Sequence, residues 1–307
     1  MRIGVTIPTP GQVPGLEPLL ADYRRAEELG LPSAWMPNIT AFDALTVLAL
    51  AGQQTRTIEL GTFVVPTYPR HPAAMAQHAL TAQAASGGRL VLGIGLSHRV
   101  TIETRLGLDF SHPVRHMREY LRCLHGLLAG EVVSFQGEEF RLDGYQLNVP
   151  GATPPPILVA ALGPQMLRLT GQLAAGTAVW MGGPRYLAEH AVPVLHEAAE
   201  AAGRPAPRVL VSVPVCATDR PEAVCETANV AFARYGQLPS YRAILDKDGA
   251  VNPADVALIG PEDALRQRLA ALAAAGATDF SAAIYAPPGE DADRTWEFLR
   301  SCAGAGF

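Results

Sequence analysis

Ten residues, LVLGIGLSHR at 90–99, hold most of the groups in this chain whose types and spacing suit chemistry. Gly93 and Gly95 form a G-x-G, Ser97 has a glycine two places before it, and His98 and Arg99 follow. A dinucleotide fingerprint requires a third glycine where His98 stands. A nucleophile elbow requires a glycine where Arg99 stands. Both patterns fail at their last residue. What remains is an apolar strand bare of side chains at two places and ending in polar residues. Either the glycines let a ligand pack against the backbone, or they relieve crowding in a core. His98 is the first candidate for a proton donor or cofactor contact, since imidazole titrates near neutrality; a structural histidine is the alternative. Ser97 has no partner for nucleophilic catalysis and is read as a hydrogen-bonding group.

A second segment, ALGPQMLRL at 161–169, places Gly163 and Pro164 where a helix begins. The free N–H groups that follow Ala160, Ala161 and Leu162 would receive an anion without any charged side chain.

The elements that position these residues alternate along nearly the whole chain. Strand-like runs fall at 2–8, 33–37, 58–66, 89–96, 156–162, 177–182, 208–215 and 278–285, separated by stretches with apolar residues three and four apart. Eight such units over 307 residues predict one α/β domain, 1–307, folded as a (β/α)8 TIM barrel, in preference to a doubly wound open sheet. Two segments break the alternation. VVSFQGEEFRL reads as a hairpin insertion turning near Gln136-Gly137, and 235–260 reads as a lid-like insertion at the barrel mouth. Tyr241 and Arg242 are its candidates for meeting the substrate or an acidic cofactor tail, and Tyr68 is a further substrate candidate.

Composition narrows the chemistry. The net charge is −5 with no basic run, which excludes a nucleic-acid footprint, and no stretch is long and apolar enough for a membrane span. Cys123, Cys216, Cys225 and Cys302 are scattered, and no secretory signal is evident, so a cytoplasmic protein with reduced thiols is expected. Only one of 24 basic residues is lysine, Lys247, in the segment LDKDG, which is read as a polar loop. No predicted strand ends in Asp, Glu or Lys. Glycosidase, metallohydrolase and Schiff-base chemistry are therefore disfavoured, and no metal is expected. A small-residue, nearly uncharged mouth suits a flat organic cofactor that carries the chemistry itself. Asn38 would touch its ring edge or cap the next helix, and Trp180 and Met181 would wall it or fill the barrel top. His71, at the start of a helix, is read as structural.

Three segments together, ELGTFVVPTYPRHP (59–72), AASGGRLVLGIGLSH (84–98) and PPILVAALGPQMLRL (155–169), resemble the luciferase-like flavin and deazaflavin oxidoreductases. The resemblance implies a cofactor ring stacked on a third-strand bulge with a cis peptide at Phe63-Val64, next to Thr62. It implies a phosphate held by the backbone of Ala160 to Pro164, and a homodimer acting on a small molecule. In bacterial luciferase an arginine after the fourth strand grips the FMN phosphate, and the matching residue here is Leu96. That departure favours the branch using coenzyme F420, related to methylenetetrahydromethanopterin reductase, with FMN as the alternative. The dehydrogenase-like members carry acid–base residues where this chain has Leu96 and Asn38. The resemblance therefore implies a reductase delivering hydride to a C=C or C=N bond, with His98 and Asn38 as the catalytic candidates. An FMN-dependent monooxygenase fed by a separate flavin reductase, and a non-catalytic flavin-binding barrel, are the rival readings.

Overall fold

A computed structural model describes residues 1–8 and 15–304. Its strands are β1 (Arg2–Thr6), β2 (Ser33–Met36), β3 (Glu59–Thr62), β4 (Val65–Pro66), β5 (Leu90–Gly95), β6 (Val133–Gln136), β7 (Arg141–Tyr145), β8 (Ile157–Val159), β9 (Gly176–Trp180), β10 (Arg208–Ala217), β11 (Leu258–Gly260) and β12 (Asp279–Ile284). Its α-helices are α1 (Leu16–Glu28), α2 (Ala44–Gln54), α3 (Pro72–Ala85), α4 (Pro113–Leu128), α5 (Pro164–Leu173), α6 (Pro184–Tyr186), α7 (Val192–Ala201), α8 (Pro221–Ala231), α9 (Ala233–Gln237), α10 (Pro239–Asp248), α11 (Glu262–Ala274) and α12 (Ala292–Ala303).

Eight strands run parallel in the order β1-β2-β3-β5-β8-β9-β10-β12, and β12 pairs back onto β1, closing the barrel. The expected (β/α)8 architecture is present. β10 is the longest strand and serves two neighbours on one side: β9 pairs with it from Arg208 to Ser212, and β11 from Val215 to Ala217. The strand expected over 58–66 is divided into β3 and β4 by Phe63-Val64. The predicted lid is mostly helical, made of α9, α10 and a 3₁₀ turn at Pro253–Asp255 before β11. Lys247 accordingly lies on α10, not in a loop.

Strand alternation sorts the side chains. On β1, Ile3 and Val5 join the core beneath the helices, while Arg2, Gly4 and Thr6 face the barrel interior. At the amino-terminal end of the interior Arg208 donates to Asp279 (2.7 Å) and Glu59 (2.8 Å), and Arg2 also pairs with both acids. Above this ion network Trp35 fills the barrel centre with Val91, Leu158, Ala178 and Leu210. Gly61 makes room for that indole, since a Cβ there would collide with the Trp35 ring. Thr6, Ser212 and Ser281 form the next layer, sharing hydroxyl hydrogen bonds at 2.7 and 3.3 Å. The barrel is thus packed up to its carboxy-terminal rim, as the fold requires.

The hairpin β6–β7 is antiparallel, with Gln136 opposite Arg141, as the sequence indicates. Its turn is held by a buried carboxylate: Glu119 on α4 accepts N–H bonds from Glu138 (3.1 Å), Glu139 (2.8 Å) and Phe140 (3.1 Å). Burial opposes ionisation, but these three donors outweigh it and keep the carboxyl below its usual range. The stabilisation is therefore full above pH about 4.3 and is lost as pH falls through the lower folded value.

Two stability outcomes follow. Gly93→Ala forces a Cβ into the Thr62 carbonyl and is expected to cost roughly 2 kcal/mol or more in denaturant unfolding. Glu119→Gln should lower stability at pH 7, and its deficit against the parent chain should shrink as the pH is taken below 4.

Candidate active site

The site grows from how β3 crosses β5. The Phe63–Val64 peptide is cis, and the Phe63 N–H donates to Met36 O at 2.7 Å. Thr62 Oγ1 donates to Gly93 O (2.7 Å) and accepts from Gly93 N (2.8 Å), so its hydroxyl is fully engaged by the neighbouring strand. A Cβ on Gly95 would stand 2.6 Å from Val64 Cγ2 and 3.2 Å from Ala160 Cβ. The space at both glycines is filled by the chain's own bulge. Of the two readings of the G-x-G, crowding relief describes the geometry.

At the rim the backbone turns sharply at Ser97 and Met181, both non-glycine residues with φ of 61°. They lie just past β5 and β9 in the left-handed region, which non-glycine residues occupy uncommonly and often near functional sites. Leu96 and Ser97 are half-buried, while Met181 is buried. Ala160 donates its N–H to Ile94 O at 2.9 Å, and Thr177 Oγ1 reaches Ala161 O at 3.4 Å. Leu162 O accepts from Tyr186 Oη at 2.8 Å. Gly163 opens α5 with Pro164 at its first position and no side-chain cap, and a Cβ on Gly163 would meet nothing within 4 Å. The amino end of α5 is therefore open for an acceptor.

Over the opposite side lies a chain of aromatic rings carried by the helical insertion. His98 packs on Tyr241 (5.5 Å between centroids), Tyr241 on Tyr235 (5.1 Å), Tyr235 on Trp180 (5.7 Å), Trp180 on Phe232 (6.3 Å) and Phe232 on Tyr285 (5.2 Å). It joins the ends of β5, β9 and β12 across the mouth. The Trp180 indole N–H is buried beside Tyr235. Asp248, near the end of α10, bolts this roof down by accepting from Gly183 N (2.6 Å) and Tyr186 N (2.8 Å) at the start of α6. Burial, followed by the charge of Arg234 on α9, lowers the His98 pKa below its ordinary value. The imidazole is therefore mainly neutral at pH 7.

A second aromatic stack flanks the bulge. Tyr68 lies between His116 (3.8 Å, 13°) and Phe110 (4.9 Å, 29°), and His116 Nε2 meets Thr67 Oγ1 at 2.9 Å. Burial brings the His116 pKa down to about 4, against the opposing pull of Glu119. It also pushes Tyr68 up to about 12, with Glu139 adding to the rise.

The structure thus gathers Phe63, Val64, Leu96, Ser97, His98, Ala160, Trp180, Met181 and Tyr241 around one rim and sends other candidates elsewhere. Asn38 Oδ1 accepts from Ala44 N at 2.9 Å, which is the capping alternative. Arg99 pairs with Glu103 and sits 5.3 Å over the Phe110 ring. Arg242 pairs with Asp246 and donates to Val251 O at 2.8 Å. His71 caps α3, accepting from Ala73 N at 3.2 Å. Sequence reasoning missed Phe232, Arg234, Tyr235, Asp248 and His116. The first four sit in a segment with no motif, and His116 reads as one more residue on the inner face of an amphipathic helix.

These features meet the comparisons with known proteins. The family model described as luciferase-like monooxygenase matches residues 1–295. The chain belongs to that family. Among this family's curated members, the 5,10-methylenetetrahydromethanopterin reductase of Methanolobus tindarius is 30% identical over 247 residues, 78% of this chain and 74% of its own. The coenzyme F420-dependent tetrahydromethanopterin reductase of Methanopyrus kandleri has the same fold, with a TM-score of 0.76, 21% identity and 97% of each chain covered. The same holds for the oxygenating constituent of 3,6-diketocamphane monooxygenase from Pseudomonas putida, in complex with FMN. Its TM-score is 0.77 at 19% identity, covering 99% of this chain and 97% of that one.

In an NMR pH titration the His98 ring should show a midpoint below 6.5. Arg234→Ala should raise that midpoint by removing the nearby positive charge, without reaching the exposed-histidine value while the ring stays buried.

Proposed function

We propose that this family member is a coenzyme F420-dependent oxidoreductase, cytoplasmic and acting as a reductase on a C=C or C=N bond of a small organic substrate. The carrying observation is the separation of charge inside the barrel. Its inward-facing carboxylates, Glu59 and Asp279, lie at the amino-terminal end and are neutralised by Arg208 and Arg2. Alternation brings no described Asp or Glu inward at the mouth. The roof carboxylate, Asp248, is engaged by Gly183 N and Tyr186 N, and a mouth otherwise this poor in acid–base groups suits chemistry supplied by a cofactor. The 30% identical reductase supports the same reading.

The residues fit such a group. The uncapped amino end of α5, Gly163 to Gln165, offers peptide N–H groups and open space for a phosphate. The Val64 side of the bulge and the Trp180–Met181 wall would hold a flat ring between them. The reduced deazaflavin supplies a hydride when bound. The chain's own part is to hold the substrate under the Tyr241–Tyr235 roof, exclude water there and present the His98 ring nitrogen to the acceptor. A ring with a depressed pKa carries its extra proton only on the acid side, so proton delivery by His98 strengthens as pH falls through that value.

Fluorescence titration of the purified protein should give micromolar or tighter binding of coenzyme F420, with FMN at least about 10-fold weaker. The reverse preference would establish the flavin monooxygenase instead, and binding of neither would remove the cofactor reading. With reduced coenzyme and an enone or imine, kcat should rise toward acid with a midpoint below 6.5. In His98→Ala that limb should vanish.

A further inference from the structure

Many polar side chains at the carboxy-terminal end of the barrel are used up by the protein itself. Thr62 is held by Gly93, Thr67 meets His116, Tyr186 donates to Leu162 O, and Asp248 accepts from two peptide N–H groups. His98 and Tyr241 are different. Both are half-buried, and among the described residues neither side chain makes a hydrogen bond. Their rings meet at 5.5 Å and 60°, His98 from the end of β5 and Tyr241 from the roof. Tyr235 and Tyr285 lie farther along the chain of rings, toward β9 and β12. The edge-on contact with Tyr235 (5.1 Å, 89°) fixes the Tyr241 ring, and Asp248 bolts the other end of the same helix. Unlike the sealed hydroxyl of Tyr23, that of Tyr241 keeps accessible surface, so a ligand can reach it. Burial, and after it the neighbouring Tyr235, raises the Tyr241 pKa well above that of an ordinary phenol. The group therefore stays protonated and can donate at any working pH. The same burial acts in the opposite sense on His98, which with Arg234 nearby titrates below its ordinary value.

We infer that the Tyr241 hydroxyl is a further catalytic group, donating a hydrogen bond to a carbonyl oxygen of the acceptor, and that the acceptor is an α,β-unsaturated carbonyl compound. The inference rests on the reductase reading above and narrows it. A C=N acceptor takes hydride on carbon and a proton on nitrogen, so one donor completes it. A conjugated C=C–C=O acceptor needs two, at separate positions. Hydride adds at the carbon remote from oxygen, and the displaced electron pair moves onto oxygen as an enolate. A proton then enters at the carbon next to the carbonyl, and the C=O bond returns. Both electrons arrive with hydride from the reduced deazaflavin, which is oxidised; His98 gives the proton and regains one from solvent. The Tyr241 O–H transfers nothing and holds the oxygen while charge sits there. His98 and Tyr241 supply such a pair from two sides of the mouth, an imidazole that titrates and a phenol too weakly acidic to ionise.

The test begins with binding, which needs no turnover. Cyclohexenone and its methylene analogue, in which CH2 replaces the carbonyl oxygen, are titrated calorimetrically into the purified parent chain and into Tyr241→Phe, which keeps the packed ring. The variant should bind the enone about 10-fold more weakly and the methylene analogue equally well. The carbonyl stretch of the bound enone should move to higher frequency in the variant, as the hydrogen bond is lost. With reduced deazaflavin, kcat on the enone should fall about 100-fold in Tyr241→Phe, while the acid limb set by His98 keeps its midpoint. Unchanged enone binding and turnover in Tyr241→Phe overturn the assignment and leave the cofactor reading intact. A loss that appears in Tyr235→Phe or Tyr285→Phe instead also overturns it. A parent chain that binds the deazaflavin and reduces an imine but not the enone overturns the acceptor class. Tyr241-dependent enone binding in a chain that takes FMN and no deazaflavin overturns the reductase reading alone, and the hydrogen bond to a carbonyl stands.

Discussion

The close passage of β3 over β5 is the constraint on which the rest of the molecule depends. Two residues without side chains, Gly93 and Gly95, let Thr62 and Val64 occupy the barrel interior. The paired hydrogen bonds between Thr62 Oγ1 and the Gly93 peptide lock that approach. Below it Trp35 closes the barrel, and above it the rim residues Ser97, His98 and Trp180 take their positions. Any side chain on β5 at this level would displace the bulge and the wall against which a planar cofactor would lie. The passage is a packing solution first and a functional surface only as a consequence.

That order explains what the sequence made legible. The barrel was readable because each strand–helix unit carries its own periodicity and helix starts, as with Asp43 capping α2 and Pro164 opening α5. The SGGR motif was visible as a family mark. Its physical content appears only in three dimensions, where Arg89 donates to Gly52 O, Thr55 O, Thr55 Oγ1 and Ile58 O and ties α2 to the base of β3 and β5. The G-x-G looked equally like a ligand cradle and a packing device. The partner that decides between them, Val64, is about thirty residues away, and no local pattern reports it. The roof was hardest to read. Phe232, Tyr235, Tyr241 and Tyr285 are scattered aromatics in one dimension and acquire a common role through tertiary packing. Asn38, Arg99 and Arg242 each have a nearby backbone group or carboxylate as partner, Asn38 in the capping role that was one of its two readings.

Charge is distributed along the barrel axis with a purpose that composition hides. Among the described residues, the inward carboxylates Glu59 and Asp279 lie at the amino-terminal end, where two arginines hold them in an ion network whose partners would be costly to remove singly. The carboxy-terminal end is left to peptide dipoles, hydroxyls and a neutral imidazole. An enzyme arranged this way has little acid–base machinery to be mistuned. Its selectivity rests on the shape of the enclosure and on where a bound group is anchored.

The double pairing of β10 divides the molecule's responsibilities. Up to Ser212 the strand belongs to the closed barrel; from Val215 it belongs with β11 and the helices that roof the mouth. The chain from α8 to the 3₁₀ turn leaves after the end of β10 and returns as β11 alongside that strand's last residues. It is tied to the rest by aromatic contacts, by apolar packing of Val224, Ala228 and Leu245 with Met181, Cys216 and Ile259, by the Arg268 bond to Asp255 O, and by the two peptide N–H groups held by Asp248. Such a segment behaves as a cassette. Its sequence can drift while the bulge, the rim glycines and the head of α5 keep their geometry, so on the proposed reading acceptor preference and cofactor preference would be free to evolve independently in one chain.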